Sequence, residues 1–231
     1  MKTYLTVEDI HLLLQAATNL RDKLLILMLF RLGCRVTEVL RLTANDIDFE
    51  AGTVRIEHLK SKINITCPHC NARLARSSIF CSGCGNKVTR IVSEAKEHKK
   101  MRTIPLDPET LEMLKEYIDR GGPVEKDGRL MIFGITRNTA WRVVSSLARK
   151  ARLPMLINPE SGKMHNVSPH RLRDAFAVHA VKKDDSGDGL RLLQEHLGHT
   201  SFNTTAKYRK ISGEEQREWY SKLWEDQEQH G

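Results

Sequence analysis

Residues 24–38 read Leu24-Leu-Ile-Leu-Met-Leu-Phe-Arg-Leu-Gly-Cys-Arg-Val-Thr-Glu38, and this stretch sets the framework of the fold. Leu24 to Phe30 is an unbroken apolar run, so the helix predicted over Arg21–Leu32 is apolar almost all round and belongs in the core. Gly33 ends that helix, and residues 35–42 are predicted to form a short second one. The charged side chains of Arg35 and Glu38 therefore follow directly on the predicted core.

The rest of the chain places further helices around this one. Apolar spacing and capping signals predict them over residues 6–17, 108–120, 136–152, 169–181, 190–197 and 202–211. In the helix at 136–152, Trp141 shares one side with Val144, Leu147 and Ala148. Alternation in residues 53–60, with 102–106 as the return partner, predicts a hairpin, and 154–168 is predicted to be a loop. The sequence thus predicts a mainly α fold with a small antiparallel β-sheet, an α+β class.

Composition narrows the possible partners. The chain has 231 residues, of which 40% are hydrophobic and 29% charged, which suits a globular domain. Its net charge of +8 suggests a polyanionic partner, and the ten basic and two acidic residues between Lys60 and Arg102 account for all of it. The apolar run at Leu24–Phe30 is far shorter than the roughly 20 residues that a transmembrane helix needs. No signal peptide is recognisable, so a cytoplasmic location is expected.

Four cysteines inside the basic segment form two C-x-x-C pairs. Cys67 and Cys70 make the first pair, and Cys81 and Cys84 the second, with ten residues between the pairs. This spacing predicts one structural zinc ion held by four thiolates. Because four protein ligands leave no open position, the metal would support folding and not catalysis. An iron–sulfur cluster and a pair of disulfides are the alternatives. The fifth cysteine, Cys34, is predicted to be a buried thiol.

Three further motifs occur in a fixed order. The first is Gly33-Cys-Arg35-Val-Thr-Glu38, the second His170-Arg-Leu-Arg173, and the third Leu197-Gly-His199 with Tyr208 nine residues after the histidine. In these motifs the chain resembles the tyrosine recombinases of the phage-integrase, Xer and Cre type, over roughly residues 3–208 apart from the cysteine segment. The resemblance implies the catalytic-domain fold of that family, with the zinc ribbon inserted in a β-hairpin.

The resemblance also assigns roles, and these roles agree with the chemistry of the residues. Arg35 and Arg173 would clamp the oxygens of a scissile DNA phosphate, because a guanidinium is permanently charged and forks onto phosphate. Tyr208 would attack the phosphorus to form a 3′-phosphotyrosine, which needs neither ATP nor a catalytic metal. By resemblance His170 is an acid/base partner and His199 a phosphate donor, while Glu38 is expected to hold Arg35 or its helix.

The proton for the leaving 5′-oxygen comes, in the family, from a lysine on the hairpin that here carries the cysteine segment. We favour Lys60 for this role, and the alternatives are Lys62, Lys96, Lys99 and Lys100. Side chains expected to contact DNA backbone or groove are basic residues of the cysteine segment and of the 136–152 helix. They are Arg73, Arg76, Lys87, Arg90, Lys99, Lys100, Arg137 and Arg142.

The predicted organisation is a catalytic domain at residues 1–212, a zinc ribbon at 61–95 within it, and an acidic helical tail at 213–231. The N-terminal core-binding domain usual in the family is not expected, since the catalytic pattern begins almost at Met1. Trp219, Tyr220, Leu223 and Trp224 form an apolar cluster in the tail, which would pack on its own domain or dock on a neighbouring protomer.

The leading functional hypothesis is a site-specific recombinase or integrase of a mobile element, associated with the nucleoid. Its partner would be double-stranded DNA, on which it would act as a homotetramer, while a monomer in solution is compatible with the sequence. Topoisomerase IB-like or resolvase-like cleavage and rejoining is an alternative within enzymes. A catalytically idle DNA-binding protein is the alternative from another class.

Overall fold

The structure is a computed structural model that describes residues 2–75, 77–88, 92–158, 161–199, 201–209 and 221. For residues 58–64 and 92–100 it describes the backbone strand alone. The predicted tail at 213–231, with its apolar cluster, lies outside the described residues except for Ser221. So do Arg76, Arg90 and the end of the helix predicted at 202–211.

Eight helices are found in the described part of the chain. Their bounds are α1 Val7–Ala16, α2 Leu20–Arg31, α3 Val36–Val39, α4 Pro108–Asp119, α5 Arg137–Lys150, α6 Pro169–Lys183, α7 Gly187–Leu197 and α8 Phe202–Ala206. Short polar side chains begin several of them, since an N-cap oxygen satisfies an otherwise unpaired backbone N–H. Thr6 caps α1 in a capping box with Asp9, Asn19 caps α2, and Asp107 caps α4 ahead of a proline.

Helix α2 is the centre of the main core. Every residue from Leu24 to Phe30 is buried, as the apolar run predicts. Helices α1, α3, α4, α5 and α6 all contact α2. A second, smaller cluster joins α6 to α7 through Ala177, Val181, Leu193 and Leu197, and it includes the ring of Tyr208. The last two motifs of the sequence are therefore built on a core of their own beside α2.

The strands form three small sheets among the described residues. The first contains β1 (Ile47–Asp48), β2 (Thr53–Thr66) and β3 (Val92–Pro105), with β2 in the middle and antiparallel to β1. Two antiparallel hairpins complete the set: β4 (Val124–Lys126) with β5 (Arg129–Met131), and β6 (Leu156–Ile157) with β7 (Met164–His165). The prediction of a mainly helical fold with a small antiparallel sheet is thus confirmed.

Local details of the prediction were wrong at several places. The β-strand predicted to end at Lys60 continues to Thr66, and the segment predicted to be a loop at 154–168 contains the β6–β7 hairpin. The predicted helix after Phe202 changes at Ala206 into a 3₁₀ turn, Lys207–Arg209, that carries Tyr208. Trp141 does not share the burial of Val144 and Leu147, because 48% of its surface is exposed on α5.

The chain divides into two compact units. One comprises residues 1–56 and 103–231, and the other comprises Glu57–Arg102, which contains the four paired cysteines. Among the described side chains of the second unit, Ile65, Cys67, Leu74 and Cys81 form a buried cluster. Two of these four residues are cysteines, so a metal bound by them would be continuous with this cluster and would add to its stability. None of the helices in the described ranges is long and apolar enough to cross a membrane.

Gly33 connects the core helix to the site residues. Its φ of +56° lies in the left-handed region, and a Cβ there would lie 2.3 Å from Cδ1 of Phe176. Both the backbone conformation and the ring of Phe176 therefore require glycine. Gly128, in the turn between β4 and β5, has a similar φ of +69° but nothing within 4 Å of an added Cβ.

We expect Gly33→Ala to lower the free energy of unfolding by about 2–5 kcal/mol, the sum of left-handed strain and overpacking. Gly128→Ala is the matched control, and strain alone should cost about 1–2 kcal/mol there. Urea denaturation of both variants measures the difference. Equal losses for the two would show that the contact with Phe176 is not the constraint.

Candidate functional site

Arg173 lies at the centre of the candidate site, buried on α6 with 2% of its surface exposed. Its Nη1 donates to the carbonyl oxygen of Gly33 at 2.8 Å, and its Nη2 donates to the carbonyl of Leu197 at 2.9 Å. Nη2 also lies 2.9 Å from Nε2 of His199. Burial lowers the pKa of Arg173, the positive charge of Arg35 lowers it further, and Glu38 opposes both. One guanidinium thus connects all three sequence motifs.

His199 is held in one tautomer by its two neighbours. Because an arginine only donates hydrogen bonds, Nε2 of His199 is the acceptor from Arg173. The proton of the neutral ring is then on Nδ1, which donates to Oγ1 of Thr205 at 2.8 Å. Gln194 fixes the backbone of His199 by donating to its carbonyl oxygen at 3.2 Å. The imidazole is therefore oriented from both edges.

Arg35 stands at the beginning of α3, where Glu38 holds it in two ways. The backbone N–H of Arg35 donates to Oε2 of Glu38 at 3.0 Å, and Nη1 of Arg35 lies 3.1 Å from Oε1. The Glu38 side chain is buried, whereas 39% of the Arg35 side chain is exposed. The charge of this partly exposed, oriented guanidinium also acts on Arg173, so both arginines contribute to the positive field of the site.

Tyr208 lies in the 3₁₀ turn after α8, with 6% of its surface exposed. Its hydroxyl donates to Oδ1 of Asp174 at 2.7 Å. Burial raises the pKa of Tyr208, the Asp174 carboxylate raises it further, and the charge of Arg173 opposes them. The ring is nearly parallel to that of His199, with 6.4 Å between the ring centroids. The structure thus brings Tyr208 together with Arg173 and His199 within one unit of the chain.

His170 is the second residue of α6, in its first turn, and it is exposed. Desolvation lowers the pKa of its imidazole, while the charge of Asp174, one turn further along α6, acts in the opposite direction. Among the described contacts, the hydroxyl of Tyr208 is paired with Asp174 and not with His170. The role of His170 as an acid/base partner stays a prediction.

Asp174 and Thr205 are site residues that the motifs did not indicate. Asp174 follows Arg173 directly, and its second oxygen, Oδ2, pairs with Nη1 of Arg171 at 3.1 Å. Thr205 is fully buried, and its hydroxyl accepts the hydrogen bond from Nδ1 of His199. A signal was available for Asp174, because a lone acidic residue within an otherwise basic and apolar helix is expected to be paired. No sequence signal distinguishes Thr205 from its neighbour Thr204.

The lysine predicted to protonate the leaving oxygen falls in a strand of the Glu57–Arg102 unit. Lys60 lies in β2, and its side chain is outside the described residues, as are those of Lys62, Lys96, Lys99 and Lys100. Of the predicted DNA-binding residues, four are described and all four are exposed: Arg73, Lys87, Arg137 and Arg142. Exposed Trp141 lies one turn after Arg137 on α5, so an aromatic ring accompanies the basic residues of that helix.

The four cysteines form a compact cluster in the second unit. Their sulfur atoms all lie within 4.8 Å of one another, with 3.7 Å between Cys67 and Cys84 and 3.5 Å between Cys70 and Cys81. These separations exceed the roughly 2.05 Å of a disulfide bond, and no disulfide joins the four cysteines in the structure. Backbone N–H groups of Cys84 and Gly83 lower the pKa of Cys81 to about 6, whereas burial and hydrogen bonds among the thiols raise the pKa of Cys70 and of Cys84.

The two cysteine loops have the same backbone pattern. In each loop, the residue four positions after the first cysteine donates a backbone hydrogen bond to the carbonyl oxygen of that cysteine. The N–H of Asn71 donates to Cys67 and the N–H of Gly85 donates to Cys81, both at 2.9 Å. Both residues have left-handed backbones, with φ of 56° and 72°, a conformation that glycine and asparagine tolerate.

The cluster fits a zinc ion. Thiolates about 2.3 Å from a tetrahedral zinc are about 3.8 Å apart. The sulfur atoms of Cys67 and Cys84 are 3.7 Å apart, and those of Cys70 and Cys81 are 3.5 Å apart. Cys67, Cys70, Cys81 and Cys84 would supply all four ligands, so a metal here would have no position for a substrate.

Solved structures of a site-specific recombinase and of an integrase have the same fold as this chain. The chain superposes on the XerH site-specific recombinase bound to its palindromic difH substrate with a TM-score of 0.60 and 23% identity, covering 96% of this chain and 53% of that one. It superposes on the catalytic domain of bacteriophage HP1 integrase with a TM-score of 0.52 and 19% identity, covering 92% and 90%. At these identities the likeness concerns the fold.

Sequence comparison identifies the family. The tyrosine recombinase XerA of Pyrococcus horikoshii is 25% identical over 214 residues, which are 93% of this chain and 59% of the relative. The chain thus spans well under two thirds of that relative's length. The family model described as the phage integrase family matches residues 3–77 and 74–215. Since this match covers most of the sequence and all three motifs, the chain belongs to the phage integrase family.

Proposed function

We propose that this chain is the catalytic part of a tyrosine-type, site-specific DNA recombinase or integrase. Strands would be cleaved and rejoined through a 3′-phosphotyrosine on Tyr208. The observation that carries the proposal is the arrangement in one unit of Arg173, His199 and Tyr208, with Arg35 close enough for its charge to act on Arg173. The family membership and the DNA complexes of the fold neighbours support it.

The cleavage step follows from the chemistry of these groups. Tyr208 attacks the phosphorus, and negative charge develops on the non-bridging oxygens, where arginine donors stabilise it by several kcal/mol. Ionising a free phenol at pH 7 costs about 4 kcal/mol, and burial beside Asp174 raises that cost for Tyr208. Positive charge and a proton acceptor must offset it. Rejoining reverses the attack with a 5′-hydroxyl, so the bond energy is kept in the intermediate without ATP or a catalytic metal.

The proposed DNA surface has two parts, one on each unit. On α5, Arg137 and Arg142 are exposed on either side of Trp141. In the Glu57–Arg102 unit, Arg73 and Lys87 are exposed beside the cysteine loops, in the segment that carries the net charge of the chain. Lysine and arginine contacts to phosphates give affinity that depends on salt and little on sequence.

The remaining parts of the proposal concern organisation. A zinc ion at the four cysteines would stabilise a ribbon at residues 61–95 within the catalytic domain at 1–212, with 213–231 as a separate tail. Lys60 would protonate the leaving oxygen. Exchange of strands between two duplexes requires several active sites, so a homotetramer on DNA is proposed. A DNA substrate would place the protein with the nucleoid in the cytoplasm.

The covalent intermediate gives the most direct prediction. Wild-type protein is mixed with a library of nicked duplexes randomised around the nick, in which loss of a short fragment traps the adduct. A band shifted on a denaturing gel is expected, because the phosphotyrosine bond survives denaturation. Tyr208→Phe should abolish the band, and Arg173→Ala should reduce its rate of formation by about 10²–10³-fold.

Tyr117→Phe is the matched control for the loss of a hydroxyl, since Tyr117 donates to the carbonyl of Gly122 elsewhere in the unit. It should form the adduct at the wild-type rate. Failure of wild-type protein to form any adduct while it still binds DNA would favour the DNA-binding alternative. Relaxation of supercoiled plasmid without strand exchange would favour the topoisomerase-like one.

Metal analysis tests the cysteine cluster. The purified chain should contain one zinc per molecule by mass spectrometry of the metal, and Cys67→Ser or Cys81→Ser should lose it. Chelation should also unfold the Glu57–Arg102 unit, because metal binding there contributes directly to folding. Cys34→Ala, which removes a thiol outside the cluster, should keep the zinc. Iron with visible absorbance would identify the iron–sulfur alternative instead.

Salt dependence tests the basic segment. Replacing Arg73, Arg76, Lys87 and Arg90 together by alanine should flatten the slope of log K against log salt by up to about 3.6, because each lost contact with duplex DNA accounts for about 0.9. Four exposed basic residues outside the segment provide a control with the same change of charge: Lys115, Arg120, Lys163 and Arg191. An unchanged slope in the first variant, or equal changes in both, would contradict this part of the proposal.

A further inference from the structure

We propose that Asp174 is the catalytic base that accepts the proton of Tyr208 during strand cleavage. The inference rests on the proposed function, and it assigns a role to a residue that lies outside the three sequence motifs. Three observations carry it: the contact between the two side chains, the orientation of the carboxylate, and the position of the competing histidines.

The contact is short and lies inside the protein. The hydroxyl of Tyr208 donates to Oδ1 of Asp174 at 2.7 Å, within the range of a charge-assisted O–H···O hydrogen bond. Only 3% of Asp174 and 6% of Tyr208 is exposed. Because the hydroxyl gives its hydrogen to the carboxylate, the lone pairs of the phenol oxygen are the ones left to approach phosphorus. A general base needs its accepting atom within about 2.6–3.2 Å of the heavy atom that carries the proton, and Oδ1 of Asp174 meets this requirement.

The carboxylate is oriented by a second partner. Oδ2 of Asp174 pairs with Nη1 of Arg171 at 3.1 Å, so the other oxygen is directed to the tyrosine. Asp174 also follows Arg173 on α6, so the base and the buried guanidinium are carried by one rigid element. A catalytic group whose rotamer is fixed by a neighbouring contact keeps its geometry through the reaction.

The histidines of the motifs are engaged in other ways. Nδ1 of His199 donates to Thr205, and its Nε2 accepts from Arg173, so neither nitrogen has a free lone pair for the tyrosine proton. His170 is one turn before Asp174, and no described hydrogen bond joins it to Tyr208. In the described part of the chain, Asp174 is therefore the acceptor already placed on the nucleophile.

Proton transfer accompanies the making and breaking of bonds at phosphorus. As Oη of Tyr208 bonds to phosphorus, its proton moves to Oδ1 of Asp174, and the bond from phosphorus to the 5′-oxygen breaks. The leaving oxygen takes a proton from the general acid, proposed to be Lys60. Rejoining returns the proton from Asp174 to Tyr208. The charged and titratable groups that surround this pair are Arg171, Arg173, His170, His199, Lys207 and Tyr4.

The experiment uses the duplex that wild-type protein selects from the randomised library and measures adduct formation in a single turnover. Asp174→Asn, which keeps the shape but lacks the basic oxygen, should slow cleavage by about 10²–10⁴-fold, the usual contribution of a general base. Asp188→Asn, at an exposed position of α7, removes the same charge and should cleave like wild type. Melting curves and DNA affinity show whether each variant is folded and bound.

A modified substrate separates the base from the acid. With sulfur in place of the bridging 5′-oxygen, the leaving group departs as a thiolate and needs no proton, because a thiol is much more acidic than an alcohol. This substrate should rescue Lys60→Ala but leave Asp174→Asn slow. Rescue of Asp174→Asn by the sulfur-containing substrate would overturn the proposal. Cleavage of the ordinary duplex by Asp174→Asn at the wild-type rate or faster would also overturn it, because the contact would then restrain the tyrosine and not activate it.

A second pair of variants keeps the proposal testable if Asp174→Asn does not fold. Asp174→Glu retains a carboxylate and Asp174→Gln does not, so the first should form adduct at least tenfold faster than the second. Equal rates in this pair would also overturn the assignment. A complete lack of adduct from wild-type protein would instead count against the proposed function, so the two failures are distinguishable.

Discussion

The buried guanidinium of Arg173 is the interaction on which the rest of the site depends. Placing a charge inside a protein costs several kcal/mol unless it is fully hydrogen-bonded. Here the carbonyl oxygens of Gly33 and Leu197 and the imidazole of His199 all accept from it. Those acceptors come from the turn after the core helix α2, the end of α7 and the turn after α7, so the guanidinium is satisfied only when these three segments are in place.

Because Arg173 depends on backbone carbonyl oxygens, the ends of the helices position the site residues more than the faces of the helices do. The carbonyl of Gly33 is available because the chain turns sharply out of α2 with a left-handed residue. The same turn brings Arg35 to the start of α3, where Glu38 fixes it through backbone and side chain. Two arginines are thereby held together despite their mutual repulsion, because carbonyl and carboxylate oxygens offset part of it. An anion placed between them would relieve the remainder.

Much of this was predictable from the sequence, and the failures have identifiable causes. The apolar run at Leu24–Phe30 indicated a buried helix, and the fixed order of Arg35, Arg173, His199 and Tyr208 indicated the family. Trp141 was grouped with buried residues because helical spacing shows which side chains share a face, not how far the neighbouring elements extend over it. The hairpin β6–β7 was missed because two-residue strands leave no periodicity. Asp174 was missed because it lies outside the motifs, and its contact with Tyr208, 34 residues away in sequence, forms only through tertiary packing.

The cysteine unit shows a different balance between sequence and packing. In the main unit, apolar burial positions a few polar groups, whereas in the cysteine unit the described buried cluster consists of Ile65, Leu74 and two of the cysteines, Cys67 and Cys81. There the sequence dictates structure through its spacing alone, since each C-x-x-C pair is followed by a residue, Asn71 or Gly85, that accepts the left-handed turn. A metal held by these thiolates would join the two loops without apolar contacts, which suits a surface rich in lysine and arginine. The segment from Lys60 to Arg102 is thus free to hold the chain's entire net charge.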